Sequence, residues 1–137
     1  KNENYSADYL LVLQPTSPLR TAEDISKAIE LIVQTKASSV VSVTLVTQHP
    51  FLMKKISPDG ILSNFTDQEN SVGRRQELAP LFFLNGSIYL SRTEMIREKS
   101  KLHDENTLGL IMPTDRSIDI DTPWDLHLAN LILKNQS

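Results

Sequence analysis

Two aspartates one residue apart, Asp119 and Asp121, lie near the end of the chain in the stretch Ser117-Ile118-Asp119-Ile120-Asp121-Thr122-Pro123. In an extended strand alternate side chains share a face. Ile118 and Ile120 are therefore expected to look into a core while the two carboxylates project together from the other side. Thr122 is a natural helix N-cap, Pro123 suits the first helical position, and Asp125 completes a T-x-x-D capping pattern. A strand is thus expected to end where a helix begins. Hard oxygen ligands at such a junction suit a magnesium ion and the phosphates it carries. The same pair would serve equally well as solvated surface, and spacing alone leaves both readings open.

The elements that must position this pair are legible in order. Tyr9-Leu10-Leu11-Val12-Leu13 is a continuous apolar run, as expected of a strand covered on both faces in a parallel sheet. The prolines of Gln14-Pro15-Thr16-Ser17-Pro18 end it, and Thr21 with Asp24 repeats the capping pattern. The spacing of Ile25, Ala28, Ile29, Ile32 and Val33 then predicts a helix over 22–35. Val40 to Val46 is rich in β-branched residues and predicts a second buried strand. Strand, helix, strand implies a right-handed crossover unit and an α/β domain.

The apolar segments 51–56 and 61–62, split by Ser57-Pro58-Asp59-Gly60, predict a short hairpin. Residues 64–80 are polar and read as a loop or irregular arm. From Leu81 to Leu90 an Asn85-Gly86 pair interrupts an apolar run. Local rules make it a hairpin turn, with a bend or bulge in one longer strand as the alternative. A short helix over 93–98, a strand over 107–112 and a final helix over 123–134 complete the expectation. That last helix is expected to bury Trp124, Leu128, Leu131 and Ile132.

With 137 residues the chain is expected to form a single domain, 1–137, with 50–90 as a substrate or dimerisation arm. Its 14 basic and 17 acidic residues give a net charge of -3, which offers nothing to attract nucleic acid or an anionic membrane. Without cysteine there is no disulfide, zinc-thiolate site or thiol nucleophile. No apolar run approaches the roughly 20 residues of a membrane-spanning helix. Lys1-Asn2-Glu3-Asn4-Tyr5 shows no signal-peptide pattern, and a cytoplasmic protein is expected.

Three stretches, taken in order, resemble the acylneuraminate cytidylyltransferases, also called CMP-sialic acid synthetases. They are Leu13-Gln14-Pro15-Thr16-Ser17-Pro18-Leu19-Arg20, then Arg74-Arg75-Gln76 with Leu84-Asn85-Gly86-Ser87-Ile88-Tyr89, and Ser117-Ile118-Asp119-Ile120-Asp121-Thr122. The resemblance runs over nearly the whole chain. It implies a Rossmann-like nucleotide-diphospho-sugar transferase fold, a mostly parallel sheet flanked by helices, and a homodimer. It also implies magnesium-dependent transfer of CMP from CTP to the anomeric hydroxyl of N-acetylneuraminate or a related nine-carbon 2-keto sugar acid, with release of pyrophosphate.

Residue by residue, the resemblance implies that Asp119 and Asp121 bind the metal and that Gln14, Arg75, Asn85 and Tyr89 bind substrate. Gln14 would contact the sugar, and Arg75 would hold a carboxylate or phosphate through paired hydrogen bonds. Without the resemblance, Gln14 reads as the cap of a turn between prolines, Asn85 as a turn residue and Tyr89 as core.

The family's N-terminal strand and its Gly-, Lys- and Arg-containing CTP loop have no counterpart here. The chain is thus similar to the C-terminal two-thirds of the enzyme, lacks the nucleotide-binding segment, and is expected to be inactive alone. The aromatic pair that several sialic acid enzymes place before the Asp pair is not evident in Lys101-Leu102-His103-Asp104-Glu105-Asn106. Legionaminic and pseudaminic acids therefore stand beside sialic acid as substrates. His49, His103 and His127 are scattered, and none is marked as a general base.

Other readings remain. A phosphatase with Asp119 as nucleophile wants its Asp-x-Asp early and before a Gly-Thr turn. A CMP-Kdo synthetase shares the reaction type but fits Leu84 to Tyr89 less well. A non-catalytic sugar-binding or dimerisation module is the third.

Overall fold

A computed structural model describes residues 6–66 and 79–135. The order of elements is β1 (Tyr9–Val12), α1 (Ala22–Gln34), β2 (Ser39–Leu45), a 3-10 turn (Pro50–Leu52), β3 (Lys54–Ile56) and β4 (Leu62–Asn64), followed by β5 (Phe82–Arg92), α2 (Thr93–Lys99), β6 (Thr107–Ile111), a second 3-10 turn (Thr114–Arg116) and α3 (Pro123–Asn135). Two compact units result, Lys1–Thr44 with Leu84–Ser137, and Leu45–Phe83.

The larger unit is built on a sheet in the order β1-β5-β2-β6. β1 and β5 are antiparallel, with Val12 opposite Tyr89, while β2 and β6 are parallel. The Arg92 N–H donates to the Ser38 carbonyl, and four residues back along β5 the Ile88 N–H donates to the Ser42 hydroxyl. β5 therefore runs against β2 as well. Three strands point one way and β5 returns between them, so the expected mostly parallel sheet gives way to a mixed one in which antiparallel neighbours predominate. The cause is local. Asn85-Gly86 does not reverse the chain; Gly86 takes φ 73° inside one long strand, a conformation that costs glycine little.

Helix α1 begins at the expected capping box. The Thr21 N–H donates to Asp24 Oδ2 at 2.9 Å, and the Asp24 N–H donates to Thr21 Oγ1 at 3.3 Å. Its buried stripe, Ala28 and Ile32, packs with Val40, Ile88 and Leu90, while Ile29 and Val33 stay exposed. At the other end Arg92 caps the helix by donating to the carbonyls of Ile32 and Thr35, both at 3.2 Å, where a cation also complements the helix dipole. β1 is an edge strand with Leu10 42 % exposed, so the double covering expected of it is not found.

The two 3-10 turns and the hairpin follow local chemistry. In the smaller unit the His49 ring accepts the Phe51 N–H at 3.3 Å to start a turn with Pro50 at its head. β3 and β4 pair as the expected antiparallel hairpin, with Lys54 opposite Asn64, and Gly60 closes its turn at φ 86°. Arg74, Arg75 and Gln76 lie outside the described residues.

The second capping box also forms, the Thr122 N–H donating to Asp125 Oδ2 at 2.8 Å and the Asp125 N–H to Thr122 Oγ1 at 3.3 Å. α3 turns Ala129 inward with Leu128 and Ile132 beside it, but Trp124 is 65 % exposed and Leu131 is exposed too. At roughly 100° per residue both lie about a quarter-turn or more from the inward stripe, so the expected burial of Trp124 and Leu131 fails. Among the described residues no helix is long and apolar enough to cross a membrane.

Ile32 is the largest fully buried side chain of α1. Ile32→Ala should lower unfolding free energy by about 2–5 kcal/mol, read from the denaturant midpoint at unchanged slope.

Candidate functional site

Gln14 follows β1 at the end of its strand, and its backbone is fixed from two sides. The Ser17 N–H donates to the Gln14 carbonyl at 3.3 Å. The Arg20 guanidinium donates to that same carbonyl at 3.3 Å and to the Ser87 carbonyl on β5 at 2.6 Å. Arg20 thus staples the proline-rich turn to β5. Above the kink in β5 a Cβ placed on Gly86 would lie 2.4 Å from Gln14 Oε1 and 3.4 Å from Asp119 Oδ2. The Gln14 carboxamide and the Asp119 carboxylate therefore converge on the bare Cα of Gly86.

Asn85, only 2 % exposed, sits one residue before that kink. Its Oδ1 accepts from the Ser42 hydroxyl at 2.6 Å and its Nδ2 donates to the Ser117 hydroxyl at 2.9 Å. Ser117 in turn donates to the Pro113 carbonyl at 2.7 Å. The Asn85 amide is therefore engaged by protein, joining β2, β5 and the segment that leads to the aspartates.

That segment is not the expected strand. Residues 117–121 belong to neither sheet, because the 3-10 turn and Pro113 divert the chain after β6. The Ile120 N–H donates instead to the Thr16 carbonyl at 2.8 Å, tying the aspartates to the turn after Gln14. Upstream, Arg116 pairs with the buried Asp24 at the head of α1. Burial pushes the Asp24 carboxyl up, but the hydrogen bonds from Arg116 and Thr21 outweigh it and hold the group below its ordinary value. The same pair raises Arg116.

Asp119 Oδ1 is buried and, among the described residues, has no hydrogen-bond partner; the Ser87 hydroxyl is in the same position. A buried carboxylate oxygen without a partner is costly, and a cation would relieve it. Asp121 is exposed. Among the described residues no three His, Cys, Asp or Glu side chains are grouped to hold a metal. Magnesium is commonly held by one or two carboxylates with substrate phosphates supplying the rest, so a site of that kind needs no third protein carboxylate.

Tyr89 and Gln14 share a cavity of about 350 Å³ with Val12, Lys101, Leu102 and His103. Lys101 and His103 were not marked by the sequence as site residues. They carry no periodic or motif signal, and only the loop that follows α2 brings them to β1 and β5. Asp104 anchors that loop: it bonds the Ser38 hydroxyl and accepts from Lys99 at 2.6 Å and from the Asn106 N–H at 2.9 Å. The Lys99 and Ser38 hydrogen bonds pull the Asp104 carboxyl down to about 2.

Comparison with known proteins finds relatives over most of the chain. The chain is 36 % identical over 131 residues to a CMP-N,N'-diacetyllegionaminic acid synthase of Legionella pneumophila, covering 93 % of this chain and 54 % of that protein. It is 30 % identical over 128 residues to an N-acylneuraminate cytidylyltransferase of Streptococcus agalactiae, covering 90 % of this chain and 31 % of the relative. The enzyme of the same name in Escherichia coli is also 30 % identical, over 128 residues, 92 % of this chain and 30 % of its own length. The chain is a homologue of the acylneuraminate cytidylyltransferases. It spans about half the length of the first of these relatives and about three tenths of the other two. No family model matches it. The homology supports a nucleotidyltransferase fold for the mixed α/β unit.

Two outcomes follow from the geometry. Gly86→Ala forces a Cβ into Gln14 at a positive φ, and should cost about 1–3 kcal/mol in unfolding free energy while displacing the Gln14 carboxamide, a shift visible in a crystal structure of the variant. Asp104 has a folded-state value of about 2 against an ordinary 3.8. Its contribution is fully present above the ordinary value and lost as pH falls through the lowered one. Thermal unfolding of Asp104→Asn should therefore be less sensitive to acid than wild type across that interval.

Proposed function

We propose that these residues form the sugar-acid and metal ends of a cytidylyltransferase site, which transfers CMP from CTP to the anomeric hydroxyl of a nonulosonic acid and releases pyrophosphate. The convergence of Gln14 and Asp119 on Gly86 carries this reading, because it joins the expected sugar contact to the expected metal ligand at one point. Asp119 and Asp121 would hold magnesium, which when bound supplies positive charge against the triphosphate. The Gln14 carboxamide offers a donor and an acceptor for sugar hydroxyls, and Tyr89 walls the adjoining cavity. Asn85 acts through others, holding Gly86 and Ser117 in place. Arg75 is assigned to the acidic substrates by family resemblance alone.

The reacting hydroxyl attacks the α-phosphate in line with the departing pyrophosphate. The chain's part is to position the sugar and exclude misalignment, effects that carry much of the barrier reduction in phosphoryl transfer. The substrate class is N-acylneuraminate or its legionaminate and pseudaminate relatives. A homodimer belongs to the reading, with the exposed Phe82 and Phe83 of the smaller unit as surface that a second copy would cover.

In the full-length native protein, Asp121→Asn should reduce pyrophosphate release from CTP and N-acetylneuraminate by about 10²-fold or more, with partial recovery at raised magnesium. A normal rate would sink the metal assignment. Calorimetry showing sugar binding with no CTP turnover by the full-length protein would favour the non-catalytic module.

A further inference from the structure

Lys101 stands apart from the other cations near the site. Its neighbour Lys99 is neutralised twice, by Asp104 at 2.6 Å and Glu105 at 2.9 Å, whereas no described carboxylate lies within ion-pair reach of Lys101. Yet Lys101 lines the cavity with Gln14 and Tyr89. The rest of that lining is Val12, Leu102 and the imidazole of His103, so within the cavity Lys101 is the one fixed charge among the described residues.

The loop is not free to carry this charge away. Ser100 leaves α2 in the left-handed region at φ 53°, with its N–H on the Ile96 carbonyl at 2.8 Å. The Leu102 carbonyl accepts from the buried Ser91 hydroxyl of β5, and Asp104 fixes the far side through Ser38 and Asn106. Lys101 is thus bracketed by Ser100 and Leu102, both held by hydrogen bonds. An ammonium on a four-carbon stem beside apolar walls keeps its head toward solvent or ligand. An unpaired cation at a cavity that is otherwise uncharged favours an anionic ligand over its neutral analogue.

We propose that Lys101 binds the carboxylate of the sugar acid and discriminates it from uncharged sugars. The inference rests on the sugar-acid reading of the site and adds to it a residue for which no motif spoke. His103 lies at the same rim as a hydrogen-bonding partner, while Lys99 serves only the loop.

The test is titration calorimetry on the full-length native protein with N-acetylneuraminate and its methyl ester, for wild type, Lys101→Met and Lys101→Arg. Wild type should bind the acid roughly tenfold more tightly than the ester, corresponding to about 1.4 kcal/mol. Lys101→Met should bind both alike at the affinity wild type shows for the ester, and Lys101→Arg should restore most of the preference. The acid preference in wild type and Lys101→Arg should weaken with added salt. A preference that survives in Lys101→Met, or a wild type that does not distinguish acid from ester, overturns the proposal. Because the readout is binding, it is independent of turnover: an acid preference present in wild type and lost in Lys101→Met, together with no CMP transfer by wild type, would reject the transferase reading while leaving Lys101 as the carboxylate contact.

Discussion

The absence of a side chain at Gly86 is the constraint on which the site depends. The Gln14 carboxamide approaches that Cα more closely than any Cβ would allow, and Asp119 comes in from a segment more than thirty residues further along the chain. The Gln14 approach is possible only if β5 carries a residue that both tolerates φ 73° and offers no bulk, whereas Asp119 Oδ2 would meet a Cβ there in ordinary contact. The same kink explains the sheet. A hairpin at Asn85-Gly86 would give two short strands, whereas a bulge keeps one strand of eleven residues that can lie antiparallel to both β1 and β2.

Around this point the molecule invests in polar order where an apolar core would be simpler. Asn85 is buried between Ser42, Ser117 and the kink, and its hydrogen bonds are satisfied by those partners. Such a network adds little net stability but strongly penalises any arrangement that leaves a member unpaired. Its consequence is geometric uniqueness: β2, β5 and the aspartate segment meet in one register. Arg20 and the Arg116–Asp24 pair do the same at longer range, joining turn to strand and segment to helix. Satisfied groups hold the frame, and among the described residues the buried Asp119 Oδ1 and Ser87 hydroxyl are left without a hydrogen-bond partner within it.

Much of this was legible in the residues, and what was not has a physical reason. Both T-x-x-D boxes formed as written, since a capping box depends only on residues three apart. The helix over 22–34 and the strands at 39–45 and 107–111 match their patterns within a residue or two. Strand direction did not follow from pattern, because an apolar run does not say which neighbour it will pair with. Asn-Gly was ambiguous for the same reason: the dipeptide favours positive φ but does not decide whether the chain reverses. Ile118 and Ile120 alternate as a strand should, but pairing requires a partner edge, and the turn at Thr114–Arg116 delivers them to Thr16 instead. Trp124 looked like core because it is apolar and helical, whereas burial is set by phase around the helix. Gln14, Asp119 and Tyr89 were singled out through motif order, while the place of Lys101 and His103 in the cavity beside Gln14 and Tyr89 is visible only in three dimensions.

The charge distribution around the aspartates bears on how a polyphosphate could approach. Asp125 accepts the Thr122 N–H and hydroxyl, and these bonds hold its carboxyl below the ordinary value, so it is ionised wherever the protein is folded at neutral pH. It also accepts the Asp121 N–H at 3.3 Å, which brings a third negative charge to the same turn. The capping box therefore organises the helix start by using the amides that might otherwise cradle a phosphate. An anion is repelled from this end of the molecule unless a cation arrives with it. The opposite condition holds at the far wall of the neighbouring cavity, where Lys99 is neutralised and Lys101 is not. The aspartate end favours cations and the Lys101 wall favours anions, and Gln14 stands between them with a carboxamide that can both donate and accept hydrogen bonds.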